Sequence, residues 1–114
     1  MDVFEFIKKY CPVGNADLIL LYAFKNNWKV TIPELRNKLK LNHAHIYRIL
    51  RKMEGAGFCR RKKPEKGRTY IYEFNGSSKY LLKRDFEKKI TPYIGLTPEK
   101  FLKTEKIDFV IKIE

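Results

Sequence analysis

The chain has 114 residues, of which 44% are hydrophobic and 33% are charged, and its formal net charge at pH 7 is +12. This length allows one modest hydrophobic core, so we expect a single domain over residues 1–114 rather than two. The composition excludes an intrinsically disordered chain, and no apolar run approaches the roughly 18 residues of a membrane span, which predicts a cytoplasmic protein without a membrane partner.

The positive charge is concentrated in the middle of the chain. Residues 1–27 carry no net charge, and residues 75–114 carry +3. Residues 28–74 contain 13 Lys and Arg against 4 acidic residues, a net charge of +9. Such a concentrated excess indicates a site for a polyanion, whereas a diffuse one would indicate generic solubility or a membrane surface.

Two helices and a short strand are predicted before residue 31. The apolar face of the first helix consists of Val3, Phe4, Phe6, Ile7 and Tyr10. Pro12 and Gly14 close this helix. Asn15 is the expected N-cap of the second helix, and Asp17 is favourable in its first turn because the helix N-terminus is electropositive. Trp28-Lys29-Val30 alternates apolar and polar residues and is bounded by turn residues, which predicts a small strand.

The next helix begins with a predicted capping box. Thr31 and Glu34 have the spacing at which each side chain accepts a hydrogen bond from a free amide of the other residue. Pro33 in the first turn costs no helical hydrogen bond. Leu35 and Leu39 are four residues apart and give the helix one buried face.

Another helix follows a turn at Lys40-Leu41, with Asn42 as the expected N-cap and Gly57 as the left-handed terminator. At about 100° per residue, its inner side consists of Ile46, Ile49, Leu50 and Met53. Its outer side consists of Ala44, His45, Arg48, Arg51 and Lys52, with Tyr47 at the border. The outer side has no acid before Glu54, and Arg can donate two bonds to a guanine edge or bind phosphate. We interpret it as a base-reading face rather than an ordinary solvated one.

A basic hairpin follows this helix. Phe58–Lys62 and Arg68–Phe74 are strand-like runs, and the connection 63–67 has turn chemistry with Gly67 late in the loop. Lys and Arg on an exposed hairpin often only protect a sheet edge. Because this hairpin directly follows the candidate reading helix, we favour contact with phosphates or with a minor groove.

The last third of the chain predicts two helices and a strand. Ser77 or Ser78 is the expected N-cap of a helix whose apolar positions are Leu81, Leu82, Phe86 and Ile90. Thr97-Pro98-Glu99 begins another short helix by the same cap-then-proline pattern. A terminal strand is predicted from the alternating residues Ile107, Phe109, Ile111 and Ile113. Its apolar stripe must be covered, either by the hairpin sheet or by a second protomer.

No catalytic, metal or cofactor motif is evident. Cys11 and Cys59 form no CxxC pair, so we expect two partly buried thiols, with a redox-sensing pair as the alternative. His43 and His45 are two residues apart and point in different directions on a helix, so they cannot bind one metal together. The chain has no Ser/His/Asp or Cys/His signature and no phosphate-binding glycine loop, which predicts a protein that is not an enzyme.

These features together resemble the winged helix-turn-helix transcription regulators of the MarR, ArsR and TrmB type. The resemblance is carried by Thr31–Leu35, Asn42–Leu50 and Met53–Phe58, and by the basic hairpin that follows. It covers about 60 residues and is typical of the class rather than of one family. It implies an α+β winged helix, with a three-helix core and a β-hairpin wing over residues 15–74. The N-terminal helix of residues 1–14 and the helix and strand extension of residues 75–114 are additions.

The resemblance also implies a homodimer that binds double-stranded DNA, with the recognition helix in a major groove and the wing on the backbone or minor groove. The recognition-helix residues would be Asn42, His43, Ala44, His45, Tyr47, Arg48, Arg51 and Lys52. The wing residues would be Arg60, Arg61, Lys62, Lys63, Lys66 and Arg68. Further backbone contacts would come from Thr31, Arg36 and Lys40. The additions 1–14 and 75–114 are candidates for dimerisation, and no effector is indicated.

Three functions agree with this sequence. The first is sequence-specific binding of duplex DNA for transcription regulation. The second is sequence-tolerant binding of nucleic acid, as in a chromatin-type or RNA-binding winged helix, where Tyr70 and Tyr72 could stack on bases. The third is a protein-interaction module of a transcription or replication assembly, which the +9 segment disfavours. The abundance of Lys and the absence of Gln favour a thermophilic archaeon or one of its viruses as the source.

Overall fold

A computed structural model describes residues 1–64 and 66–108, and this part of the chain contains seven helices and a small three-stranded sheet. The helices are α1 (Val3–Tyr10), α2 (Asn15–Lys25), α3 (Ile32–Leu39), α4 (His43–Gly55), α5 (Gly76–Lys89), α6 (Thr91–Ile94) and α7 (Pro98–Lys103). The strands are β1 (Lys29–Val30), β2 (Cys59–Lys62) and β3 (Ile71–Phe74). They form one antiparallel sheet in the order β1-β3-β2. The chain order α2-β1-α3-α4-β2-β3 is that of the predicted winged helix.

The first helix has the predicted bounds but a narrower apolar face. It buries Val3, Phe4, Phe6 and Ile7. Tyr10 was predicted to belong to that face, and this is wrong because the side chain lies at the exposed end of the helix. Its ring packs against the ring of Phe6, with 4.6 Å between centroids. Asp2 caps the helix by accepting a hydrogen bond from the Phe4 amide at 2.8 Å.

The cap of α2 lies one residue earlier than predicted. Gly14 is the N-cap and Asn15 is already helical. The Asp17 carboxylate accepts a hydrogen bond from the Gly14 amide at 2.8 Å, so the cap is stabilised from within the helix. The side chain of Asn15 is therefore free for a tertiary contact.

The first helix of the helix-turn-helix has half of its predicted capping box. The Thr31 hydroxyl accepts a hydrogen bond from the Glu34 amide at 3.4 Å, as expected. The reciprocal bond is absent, because the Glu34 carboxylate instead accepts hydrogen bonds from the Tyr22 hydroxyl and from the side-chain amide of Asn26, both at 3.3 Å. Glu34 thereby ties α3 to α2.

The turn after α3 and helix α4 agree with what the sequence predicted. Lys40 adopts the left-handed conformation (φ 57°), and Asn42 caps α4 by accepting hydrogen bonds from the Ala44 and His45 amides. Gly57 has φ 83°, as expected of a left-handed terminator. The inner side of α4 packs on the core with Ile46, Ile49, Leu50 and Met53. This orientation exposes the opposite side of the helix.

The wing hairpin is shorter than predicted. Its last register pair is Lys62 with Ile71, so residues 68–70 belong to the connection and not to the second strand. Pro64 lacks an amide proton and cannot extend the ladder, which explains the early end of the pairing. At the other end of the hairpin, Cys59 pairs with Phe74.

The extension after the wing has three helices in the described residues, one more than predicted. Asn75 caps α5 by accepting hydrogen bonds from the Ser77 amide at 3.0 Å and the Ser78 amide at 3.4 Å. The predicted cap at Ser77 or Ser78 is therefore wrong. The Ser78 side chain is buried and donates to the Phe58 carbonyl at 2.6 Å. Thr97 caps α7 as predicted, accepting from the Lys100 amide.

An aromatic cluster joins this extension to the first two helices. Phe101 of α7 is fully buried. The centroid of its ring lies 5.6 Å from that of Phe4, 5.7 Å from that of Phe86 and 6.1 Å from that of Phe24. The Lys25 ammonium lies 5.1 Å from the same ring centroid. Helices α1, α2, α5 and α7 therefore share one hydrophobic core.

The segment after α7 returns to the N-terminus. The Val3 amide donates to the Glu105 carbonyl at 3.0 Å, and the Ile107 amide donates to the Met1 carbonyl at 2.9 Å. Ile107, the first residue of the predicted terminal strand, thus joins the N-terminus and not the wing sheet. The remainder of that predicted strand falls on residues 109–114, outside the described residues. Within residues 1–64 and 66–108, no helix has the length and apolarity needed to cross a bilayer.

Both cysteines are buried free thiols. Burial raises the pKa of each to about 11 from an ordinary value of 9.0, with Glu54 adding to the effect at Cys59. At pH 8 we expect Ellman's reagent to react slowly with both thiols in the native protein and at once in denaturant, because the thiolate is the reacting form. Immediate reaction of both thiols with the reagent in the native protein would instead favour the redox-sensing alternative.

The folded-state pKa values of Cys11 and Cys59 are raised, so the stability due to the neutral thiols is present below pH 9 and is lost as the pH rises towards 11.

Candidate nucleic-acid interface

The outer side of α4 exposes positively charged side chains, and its inner side packs on the core. Ala44, Arg48, Arg51 and Lys52 are exposed, whereas Ile46 and Leu50 on the inner side are fully buried. His43 is also exposed at the helix start, and Asn42 uses its side-chain oxygen for the cap. The small side chain of Ala44 near the start of the helix allows a ligand to approach the backbone closely. This side can therefore meet a large polyanion with Arg and Lys side chains.

His45 differs from the rest of the predicted reading face. Its side chain is half-buried, and its Nε2 lies 2.8 Å from Nδ2 of Asn15 in α2. Asn15 is available for this contact because Gly14, and not Asn15, caps α2. The Asn15 Nδ2 group can only donate, so Nε2 of His45 is the acceptor in this contact. The structure thus directs the His45 side chain towards α2 and not straight outward as helical periodicity predicted, and its contact with DNA stays a prediction.

Glu54 joins the recognition helix to the wing. Its Oε1 lies 3.2 Å from Nη1 of Arg51, and its Oε2 accepts hydrogen bonds from Nε of Arg61 at 3.3 Å and from the Arg61 amide at 3.1 Å. The charge of Glu54 raises the pKa of Arg61. Sequence reasoning treated Glu54 only as the first acid on the helix. The three-residue spacing from Arg51 could have indicated one of these contacts, but not the bridge to β2.

The wing exposes all of its predicted cations, which are Arg60, Arg61, Lys62, Lys63, Lys66 and Arg68. The Lys62 ammonium lies 2.7 Å from the Glu73 carboxylate, and this hydrogen bond lowers the pKa of Glu73. Lys62 therefore neutralises an acid on the neighbouring strand as well as presenting charge to solvent.

The predicted backbone contacts lie on α3 and its ends. Arg36 and Lys40 are exposed and line one shallow hollow together with Pro33, Asn37 and Leu41. Thr31 is half-exposed and uses its hydroxyl for the helix cap. Arg36 and Lys40 thus extend the basic surface beyond the turn, whereas the main contact of the Thr31 side chain is structural.

A cleft of about 370 Å³ separates the two basic surfaces. It is lined by Ile32 and Pro33 of α3, His43 and Tyr47 of α4, and Arg61, Arg68, Thr69, Tyr70 and Tyr72 of the wing. Tyr47 is 41% exposed and Tyr70 is 46% exposed, and the Arg61 guanidinium lies 5.3 Å from the Tyr70 ring centroid. Tyr72 is 1% exposed and packs in the core, so the suggestion that it stacks on a base is wrong. Sequence reasoning missed this cleft because its walls come from three separate segments.

The described residues contain no group of three or more His, Cys, Asp or Glu side chains that could hold a metal ion. His43 and His45 diverge, since one is exposed and the other contacts Asn15. The chemistry of this surface is therefore that of Arg, Lys, Tyr and backbone groups, which bind anions and aromatic bases.

Comparison with solved structures supports the winged-helix fold. The chain is similar to a crystal structure of mutant MarR from E. coli complexed with operator DNA, with a TM-score of 0.56 and 13% sequence identity. The similarity covers 80% of this chain and 62% of that one, so the chain spans less than two thirds of its length. No protein-family model and no curated protein matches the sequence. At this identity the likeness shows the fold.

Proposed function

We propose that this winged-helix protein binds double-stranded DNA in a sequence-specific manner and regulates transcription, with α4 in a major groove and the wing on the backbone or minor groove. The exposed Arg48, Arg51 and Lys52 beside a basic wing carry the proposal, since both lie in the segment with net charge +9. The similar fold of a MarR protein solved with operator DNA supports it. The protein would act by binding and not by catalysis, in the cytoplasm.

The proposed roles follow from where each side chain lies. Arg48 and Arg51 would contact base edges, because they are exposed at the middle of α4, and Arg can pair with guanine through two hydrogen bonds. The wing cations and Arg36 and Lys40 would contact phosphates and fix the register of the helix. His45 would instead join α4 to α2 through its contact with Asn15.

A homodimer is part of the proposal, because two copies related by a two-fold axis would place their recognition helices on successive half-sites. Helix α1 and the described residues 75–108 of the extension lie outside the candidate interface, and pairing would use their surfaces. Sedimentation equilibrium of the full chain tests this, and a mass of one protomer at all concentrations would contradict it.

A mobility-shift titration tests the main proposal. The protein should first select bound sequences from a random duplex library, and the selected duplex is then titrated with and without excess random competitor. We expect binding that survives the competitor. Equal affinity for selected and random duplexes would favour the sequence-tolerant function, for which the exposed Tyr47 and Tyr70 are the supporting observation. No binding at low salt would contradict both.

We expect Lys62→Ala to weaken binding to all duplexes alike and to lower the slope of log affinity against log salt by about 1, since one phosphate contact is lost. The loss also leaves Glu73 without its nearest cation, which adds repulsion that depends little on sequence. The salt dependence of binding should be measured on selected and random duplexes. Lys83→Ala on α5 is the matched control, because Lys83 is an exposed lysine outside the candidate interface. A change restricted to the selected duplex would contradict the phosphate role.

A further inference from the structure

We propose that the cleft between α4 and the wing binds an unpaired nucleobase, with its phosphate held by the cations at the rim. The cleft would thus add single-strand recognition beside a duplex, and this inference rests on the proposed function. It names a second ligand, a base out of the helical stack, for a cleft whose lining comes partly from the recognition helix and the wing.

The walls of the cleft have the chemistry of a base-binding site. Tyr47 is 41% exposed and Tyr70 is 46% exposed, so both side chains are accessible to a ligand in the cleft. Ile32 and Pro33 give the cleft an apolar floor on the α3 side. Stacking on aromatic side chains tolerates all four bases, because every base has a π-face.

One cation of the cleft, the Arg61 guanidinium, is held in place by hydrogen bonds. Arg61 is fixed by two hydrogen bonds to Glu54, one from its backbone amide and one from Nε. Its guanidinium lies over Tyr70 and so forms a prearranged cation–aromatic pair. Arg68 and His43 line the same cleft, and within residues 1–64 and 66–108 no Asp or Glu lines it. A phosphate next to the bound base would meet the guanidinium groups of Arg61 and Arg68.

The ligand must be an unpaired base because of the shape of the site. Bases within a duplex are stacked on both faces and offer side chains only their edges and the backbone. Tyr47 and Tyr70 both line the cleft of about 370 Å³, and a base can stack on either ring only after it has left the duplex stack. A duplex end with a single-stranded tail, or a base displaced from a duplex, provides such a base.

The test compares one blunt duplex with the same duplex carrying a short single-stranded tail on its 5′ or 3′ strand. We expect the full chain to bind one tailed duplex about 5- to 150-fold more tightly than the blunt one, the range typical of one stacked base. Tyr70→Leu should bring this ratio close to 1, and Tyr70→Phe should keep it. Tyr80→Leu on α5 is the matched control, because Tyr80 is 72% exposed and lies outside the cleft, and it should leave the ratio unchanged.

The outcomes separate the cleft from the proposed function. Equal affinity of the wild type for blunt and tailed duplexes would overturn the cleft and leave duplex reading intact. A tail preference that persists in Tyr70→Leu would also overturn it, because the tail would then bind elsewhere. Binding of the tailed duplex alone would support the cleft and contradict the proposed duplex reading. Binding of neither would overturn both.

Discussion

Replacing Phe101 by alanine is expected to lower the free energy of unfolding by roughly 3–5 kcal/mol, the usual cost of removing a buried phenylalanine ring. Phe101 is fully buried and contacts the rings of Phe4, Phe24 and Phe86. Its loss would leave a cavity between the N-terminal helices and the extension after the wing. It would also remove the ring beneath the Lys25 ammonium.

Chemical denaturation followed by circular dichroism measures this effect. Leu102→Ala is the matched control, since Leu102 is the next residue of α7 and is 44% exposed, and a change within about 0.5 kcal/mol is expected there. A loss for Phe101→Ala no greater than that for Leu102→Ala would show that α7 is not part of the core.

Sequence reasoning was most successful where the signal is local. Thr31, Asn42 and Thr97 were predicted as caps, and each accepts a hydrogen bond from an amide of its own helix. The inner side of α4 followed from helical periodicity, because Ile46 and Leu50 are both fully buried. Such features depend on residues within one or two turns, so the sequence contains what is needed to predict them.

The errors occur where two local choices compete and a tertiary contact decides between them. Ser78 could cap α5, but its hydroxyl donates to the Phe58 carbonyl, and Asn75 then becomes the cap. Asn15 could cap α2, but its side chain contacts His45 thirty residues away, and Gly14 takes the cap position. Propensity ranks these residues too closely for the sequence alone to choose.

The candidate site was predictable in part for the same reason. Periodicity places Arg48 and Arg51 on the exposed side of α4, and the structure agrees. Periodicity also placed His45 there, although the neighbouring α2 draws its side chain inward. The bridge through Glu54 and the cleft beside Tyr70 depend on how the wing packs against α4, which no spacing along the chain reveals.

The second large effect concerns Arg48. We expect Arg48→Ala to weaken binding to the selected duplex by roughly 1–3 kcal/mol, or about 5- to 150-fold, and to relax the preference for one base position. Arg48 is exposed on the outer side of α4, where its guanidinium can reach a base edge once the helix enters a groove. Binding titrations and a repeated selection from the random library with the variant measure the two parts of this prediction.

Arg84→Ala on α5 is the matched control, because it removes an arginine side chain that is 50% exposed outside the candidate interface.

The result for Arg48 distinguishes base reading from phosphate binding. A base contact predicts a loss on the selected duplex that exceeds the loss on random duplex, since random sequences seldom offer the preferred base. A phosphate contact predicts equal losses and a salt slope lower by about 1. Because Arg51 is bound to Glu54 and Arg48 is not among the ion pairs of the described residues, Arg48 is the stronger test of the reading face.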